Sequence, residues 1–214
     1  MQFNYDHPVT VALTKAFDVC AATAYCILCC IPVFTMGASL TALSSTLMAI
    51  SANEGGGVTG MFFRAFWREF KQATLVWLVM LAAGAVLAAD IYICWVWAQP
   101  DSLFIQLLRG MTCFFLLLYA FLSVYLYAGI AKFEVSFAQA FHNALVFAFT
   151  NLLKTVAQVL LLALMAAVVF FLGIFAFPLV ALGAYLQAKL CRRAFLPYLP
   201  KDPEEEEAAE DEER

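Results

Sequence analysis

Residues Val19 to Asn53 form 35 consecutive residues without a charge, most of them apolar. Such a run folds where it is kept from water. One straight helix of this length measures about 52 Å at 1.5 Å per residue, whereas a bilayer's hydrocarbon core is about 30 Å thick. Pro32 and Gly37 stand near its middle, and proline removes a backbone donor and clashes with the preceding helical turn. The run is therefore expected to fold into a hairpin of two spans at Pro32, or to cross once as a steep, broken helix.

Composition sets the class. Hydrophobic residues make up 64% of the 214-residue chain and charged ones only 13%, with a mean hydropathy of +0.86. Several long charge-free runs point to an all-α, polytopic membrane bundle, and no ten-residue alternation of the β-barrel kind is visible. The first apolar stretch follows Asp6, His7, Lys15 and Asp18 and lacks a small-x-small cleavage site. It is expected to stay as an anchor.

The net charge of −4 conceals two parts. Residues 202–214 carry nine acidic residues and one basic, whereas residues 1–200 carry ten basic against seven acidic. This divides the chain into a membrane domain (1–200) and an acidic cytoplasmic tail (201–214), expected to be disordered because it is Glu-rich and lacks aromatics.

Further along, Phe62, Phe63, Phe66, Trp67 and Phe70 recur at helical spacing, with Arg64, Arg68, Glu69 and Lys71 on the other side. This predicts an interfacial amphipathic helix leading into a span from about Gln72 to Trp97. Gln99-Pro100-Asp101-Ser102 reads as a tight turn before a span from about Leu103 to Ile130. Ser136 and Gln139 suit a capping box opening a second interfacial helix with Phe137, Phe141, Leu145 and Ala148 on one face. A second long uncharged run, Thr155 to Ala188, is interrupted by Pro178. Both long runs place Gly-Ala five residues after the proline, at Gly37-Ala38 and Gly183-Ala184. Helix breaks or turns are therefore assigned to Pro32, Thr35 and Gly37, and to Pro178 and Gly183.

Two hairpin halves per long run give six spans; a single crossing of the first run gives five. With six, Lys15, Arg64, Arg68, Lys71, Lys132, Lys154, Lys189, Arg192, Arg193, Lys201 and Arg214 share one side and only Arg109 belongs to the other. The positive-inside rule then makes both termini cytoplasmic and puts Pro32 at an outer turn.

Ionisable groups inside a membrane are costly and functional by default. Asp90 precedes Pro100 by ten residues and Arg109 follows it by nine. On an antiparallel hairpin both lie about 14 Å from the turn, so they are expected to face each other or one polar cavity, as a ligand site or as an ion pair fixing register. Snorkelling of Arg109 toward Asp101 is the alternative. Tyr92, Trp95, Trp97, Tyr119, Tyr125 and Tyr127 suit interfacial belts. The hydroxyl-rich stretch from Thr35 to Thr46 suits close helix packing; an unwound backbone at Pro32 to Gly37 exposing carbonyls to a cavity is the alternative.

Seven cysteines include a Cys26-x-x-Cys29 pair, but it lies in an apolar run without a nearby His or carboxylate. Zinc wants four such ligands, so the cysteines are expected to act as small packing residues, with no metal and no cofactor. Both histidines, His7 and His142, lie outside the spans, and no carboxylate pair suggests acid–base chemistry, so no catalytic residue is assigned. The Gly55-Gly56-Gly57 stretch lacks the Lys-Ser/Thr of a phosphate loop. No nucleic-acid partner is expected.

The segment Cys29-Cys30-Ile31-Pro32-Val33-Phe34-Thr35-Met36-Gly37-Ala38-Ser39-Leu40-Thr41-Ala42-Leu43 resembles the signature of the YesL family of bacterial multi-pass membrane proteins, a domain-of-unknown-function family. Phe62-Phe63-Arg64-Ala65-Phe66 and Phe70-Lys71-Gln72-Ala73-Thr74 are similar to that family's next block. The resemblance covers roughly residues 15–80; the acidic tail departs from it. It implies a plasma-membrane protein linked to carbohydrate uptake or utilisation, with a sugar-transporter subunit or another membrane protein as partner beside the lipid bilayer, and it supplies no catalytic residues. The function expected is a non-catalytic accessory; a small autonomous solute carrier or channel is the alternative.

Overall fold

A computed structural model describes residues 8–53, 56–97, 103–133 and 136–195. The expected Gln99–Ser102 turn, the 200/201 domain boundary and the acidic tail lie outside the described residues. Those described are helical throughout, without a strand: α1 (Pro8–Cys29), α2 (Met36–Ala52), α3 (Val58–Tyr92), α4 (Leu103–Lys132), α5 (Phe137–Thr150), α6 (Leu152–Leu172) and α7 (Phe177–Phe195). A 3₁₀ turn at Val33–Thr35 leads into α2, a π-helical turn at Ile93–Trp97 ends α3, and a 3₁₀ turn at Gly173–Ala176 leads into α7.

The first charge-free run does break beside Pro32, whose backbone is extended (φ −77°, ψ 120°). α1 and α2 form a hairpin closed at its base by the Lys15 ammonium on the Asn53 side-chain oxygen. Asn53 itself ends α2 in the left-handed conformation (φ 60°), its N–H on the Ala49 and Ile50 carbonyls. Asparagine is among the few residues that adopt this conformation readily.

The second run breaks at Gly173 rather than at Pro178. Gly173 has φ +54°, a conformation glycine adopts without strain. Pro178 is the second residue of α7, where a missing N–H removes no helical bond.

Four stretches are long and apolar enough to cross a membrane: Val33–Ala52, Val58–Trp95, Leu103–Lys132 and Leu152–Leu172. They differ in surroundings. The most apolar window of the first is 56% buried inside the protein, against 11%, 33% and 11% for the others. α2 is thus the central core helix, burying Ala38, Ala42, Leu47, Met48 and Ile50. Around it lie the first two-thirds of α3 (Val58, Phe62, Phe66, Val76, Met80), the second half of α4 (Phe121, Val124–Ala128, Ile130) and the end of α7 (Ala188, Cys191, Phe195). Beyond Met80 in α3 and before Phe121 in α4, few side chains are buried.

α3 and α4 are antiparallel: Trp77 meets Tyr127, Gly84 lies by Tyr119, Asp90 by Thr112 and Cys94 by Arg109. The Pro32 turn does not reach the α3–α4 end of the bundle. The Val33 carbonyl accepts the Trp77 indole N–H at 2.8 Å, and from Trp77 to Tyr92 α3 runs on for about 22 Å.

The aromatic segment of α3 is not a separate interfacial helix. It is continuous with the rest of α3, and Phe62 and Phe66 pack inward against Cys26, Ala38 and Ala42. Glu69, placed by the sequence pattern on the charged outer side, is 9% exposed and pairs with Arg68 at 2.7 Å. In α5 the buried face is Ala140, Ala144, Phe147 and Ala148, with Phe137 and Phe141 half-covered and Leu145 exposed. Both the Ser136 N–H and its hydroxyl reach the Gln139 side-chain oxygen at 3.0 Å.

Candidate functional site

Two polar constellations stand out, one at the α1–α2 turn and one at the α3–α4 end. At the first, the Thr35 hydroxyl lies 2.5 Å from the Cys29 carbonyl and 2.7 Å from the Pro32 carbonyl. Helix ends leave carbonyls without intrahelical partners, and Thr35 covers the end of α1 from the start of the next helix. The Thr35 carbonyl in turn accepts the Ser39 hydroxyl at 3.0 Å. A Cβ added at Gly37 would collide with the Ala73 carbonyl oxygen and come within 2.5 Å of Trp77 Cβ. Thr35 thus closes the turn, Gly37 lets α3 approach the α2 backbone, and Trp77 anchors Val33.

Gly183 is close-packed differently. A Cβ there would meet only the flexible Met165 side chain, with the sulfur at 2.7 Å. Both glycines lie in close helix contacts after a hairpin turn, but Gly37 faces the following helix and Gly183 faces its own hairpin partner.

At the second constellation Asp90 and Arg109 converge on Cys94. One Asp90 carboxylate oxygen accepts the Cys94 thiol at 3.6 Å and the other accepts the Thr112 hydroxyl. Arg109 Nε and an Nη donate to the Cys94 carbonyl at 3.0 and 2.8 Å, and its guanidinium lies 5.5 Å from the centre of the Trp95 ring. Cation and anion are therefore linked through opposite ends of one residue. The π-helical turn at Ile93–Trp97 shifts the regular bonding at the end of α3, and Arg109 supplies two donors to a carbonyl there. A cation at a helix C-terminus also offsets the dipole.

Cys94 and Thr112 were not singled out by sequence reasoning, although Asp90-x3-Cys94 and Arg109-x2-Thr112 each put two polar groups on one helical face. Of the residues assigned to belts, Tyr92 and Trp95 are exposed near the end of α3, but Tyr125 and Tyr127 are buried. Tyr125 packs on Phe147 and Phe195. All seven cysteines are free. Among the described residues no group of three or more His, Cys, Asp or Glu is placed to hold a metal ion.

A family described as "protein of unknown function, DUF624" matches residues 11–91. The chain is similar to it over the α1–α2 hairpin and nearly all of α3, a region that includes Pro32, Thr35, Gly37, Trp77 and Asp90 but not Arg109 or Thr112. No curated protein and no solved structure matches the chain.

Proposed function

We propose that this chain is a non-catalytic accessory protein of a bacterial plasma membrane, with both ends cytoplasmic, supporting a sugar-transporter subunit or another membrane protein. The observation that carries this reading is the use made of Asp90 and Arg109. Both carboxylate oxygens and two guanidinium donors are spent on Cys94 and Thr112, as suits a hairpin lock better than a solute site.

Wide apolar exposure on α3, α4 and α6 supports membrane residence; Leu78, Val86, Leu107, Phe114, Leu160 and Phe170 all face outward. The cations Lys71, Lys132, Lys154 and Lys189 border the charge-free stretches at the core end of the bundle, which favours that end as cytoplasmic. An even number of crossings keeps both termini there. The six-span expectation satisfies this, and so does a bundle in which only α3, α4, α6 and α7 cross; α7 is not among the four stretches apolar enough by themselves, but it returns antiparallel beside α6, with Gly183 at Met165 and Cys191 at Gln158. The carbohydrate link rests on the resemblance of residues 29–43 to the YesL signature.

Affinity purification from native membranes, with identification of co-purifying proteins, tests the role. A transporter subunit recovered in stoichiometric amount supports it. Sugar flux through proteoliposomes containing this chain alone, abolished by Asp90→Asn, would replace the accessory role with that of a carrier.

A further inference from the structure

The α1–α2 hairpin has an apolar tip. Ile27, Leu28, Ile31, Val33 and Phe34 are all more than half exposed, and no charge occurs between Val19 and Asn53. Leaving such a surface in water costs about 25 cal/mol per Å². The tip is pinned to α3 at Trp77 and, through the close approach of Gly37, at Ala73. Trp77 lies six residues past Lys71, or about 9 Å along the helix axis, and Lys71 is the last cation before the charge-free part of α3. From Trp77 the helix continues for about 22 Å to Tyr92, with Leu78, Val79, Leu81 and Val86 exposed.

The tip therefore stands a short way beyond the level of the cations and well short of the far end of α3. A leaflet's hydrocarbon is about 15 Å deep, half of the core, so a depth of 9 Å falls within the leaflet on the cation side. Non-helical backbone is tolerated at such depth only where its polar groups find protein partners. At this turn many of them do. Pro32 has no N–H, Thr35 serves the Cys29 and Pro32 carbonyls, Trp77 serves Val33, and the N–H groups of Cys30, Ile31 and Thr35 bond to Cys26 and Ile27, Leu28 and Pro32 respectively.

We infer that the α1–α2 hairpin enters and leaves the cytoplasmic leaflet without crossing the bilayer, its tip at Ile27, Leu28, Ile31, Val33 and Phe34 seated among the acyl chains of that leaflet. This rests on the membrane reading above, in which α3 crosses. The hairpin is then a lipid-facing wedge built around the core helix α2, and α3, α4, α6 and α7 make the crossings.

The test uses the full-length protein. In a cysteine-substituted background, single variants Ile31→Cys and Ser102→Cys are treated on intact cells with a membrane-impermeant maleimide. They are then spin-labelled in phosphatidylethanolamine/phosphatidylglycerol vesicles. Labelling of Ser102→Cys from outside, loss of labelling at Ile31→Cys, and oxygen accessibility at Ile31→Cys above that to an aqueous nickel chelate are the expected results. Outside labelling of Ile31→Cys would restore the six-span arrangement and overturn the inference. Rapid labelling of Ile31→Cys by aqueous reagent only after permeabilisation would overturn it in favour of a hairpin in the cytoplasm. Low accessibility to both oxygen and chelate would mean that another protein covers the tip, which also overturns it. Failure of Ser102→Cys to label from outside would instead refute the membrane topology itself.

A second measurement leaves all seven native cysteines in place. A phospholipid carrying a diazirine within its acyl chain should cross-link the Ile27–Phe34 segment of the unaltered protein. Cross-links found on α3 and α4 but missing from that segment would refute the wedge.

Discussion

Gly37→Ala should destabilise this protein although alanine is the better helix former. The added methyl meets the Ala73 carbonyl oxygen and Trp77 Cβ at 2.5 Å. Both belong to the framework of α3 rather than to a mobile side-chain end, so the two helices must separate. Overpacking of this kind costs about 1–3 kcal/mol. Separation also strains the Trp77–Val33 hydrogen bond, worth about 1 kcal/mol, while the gain in helix propensity returns about 1 kcal/mol. The net loss is about 2 kcal/mol, which for a chain of this size lowers the Tm by roughly 4–8 °C. Gly129→Ala in α4 is the matched control, because nothing lies within 4 Å of its added Cβ. It should gain about 0.5–1 kcal/mol and raise the Tm by a few degrees. Gly183→Ala should fall between the two, since Met165 can swing aside. Thermal unfolding of the three variants in one detergent, followed by circular dichroism, measures the difference. A Tm for Gly37→Ala equal to or above that of Gly129→Ala would refute the close α2–α3 approach.

Thr35→Val should cost about 1–2 kcal/mol by uncapping the Cys29 carbonyl, since the Pro32 carbonyl keeps the Thr35 N–H, and Thr35→Ser should recover most of it; unfolding in detergent distinguishes them. Asp90→Leu removes two acceptors, and at about 0.6 kcal/mol per hydrogen bond inside a membrane it should lose about 1–2 kcal/mol in SDS-induced unfolding. Arg109→Lys keeps the charge but cannot fork onto the Cys94 carbonyl while staying beside the Trp95 ring, so about 1 kcal/mol should be lost in the same assay. Gln158→Met should be neutral or stabilising by up to about 1 kcal/mol: the amide oxygen of this fully buried residue finds no partner among the described residues, and its N–H₂ reaches only the Cys191 sulfur at 3.4 Å.

The break near Pro32 was legible because proline and glycine act locally on the backbone. The depth of that break was not. A helix apolar on every side is either a membrane span or a core helix, and α2 is the second although its sequence reads like the first. Only its neighbours, Leu47 and Met48 against α4 and α7 and Ala38 and Ala42 against α3, decide between them, and linear sequence does not supply neighbours. Gly173 was passed over for Pro178 for a related reason. A proline in the first turn of a helix is benign, while a glycine with positive φ changes chain direction, and sequence does not print φ. Glu69 misled because amphipathic patterning places charges on the exposed side, whereas the buried residues of α3 include Glu69 with Phe62, Ala65, Phe66 and Ala73. The Asp90–Arg109 neighbourhood followed from simple counting outward from Pro100; the intermediary Cys94 did not, since a cysteine in an apolar run carries no signal of its own.

A common role connects the polar side chains that lie inside the apolar helices. Thr35 covers carbonyls at the end of α1, and Arg109 covers the Cys94 carbonyl at the end of α3. At the corner between α5 and α6, the Thr155 hydroxyl lies 2.9 Å from the Ala148 carbonyl and 3.0 Å from that of Asn151. At three of the chain's bends, a side-chain donor from the following helix thus reaches a carbonyl near the end of the preceding one, at Cys29, Cys94 and Ala148. Thr23, Ser39 and Thr46 bond to carbonyls four residues back within their own stretches, at 2.8, 3.0 and 2.8 Å. Where water is excluded, an unsatisfied polar group costs several kcal/mol, and these back-bonds satisfy the hydroxyls on carbonyls that the helix already bonds. A solute path needs polar groups left over after that demand is met. The pairings of Thr35, Asp90, Arg109 and Thr155 meet that demand at the bends, whereas Thr41, Thr74, Gln158 and Gln187 each keep a buried side-chain oxygen without a hydrogen-bond partner among the described residues.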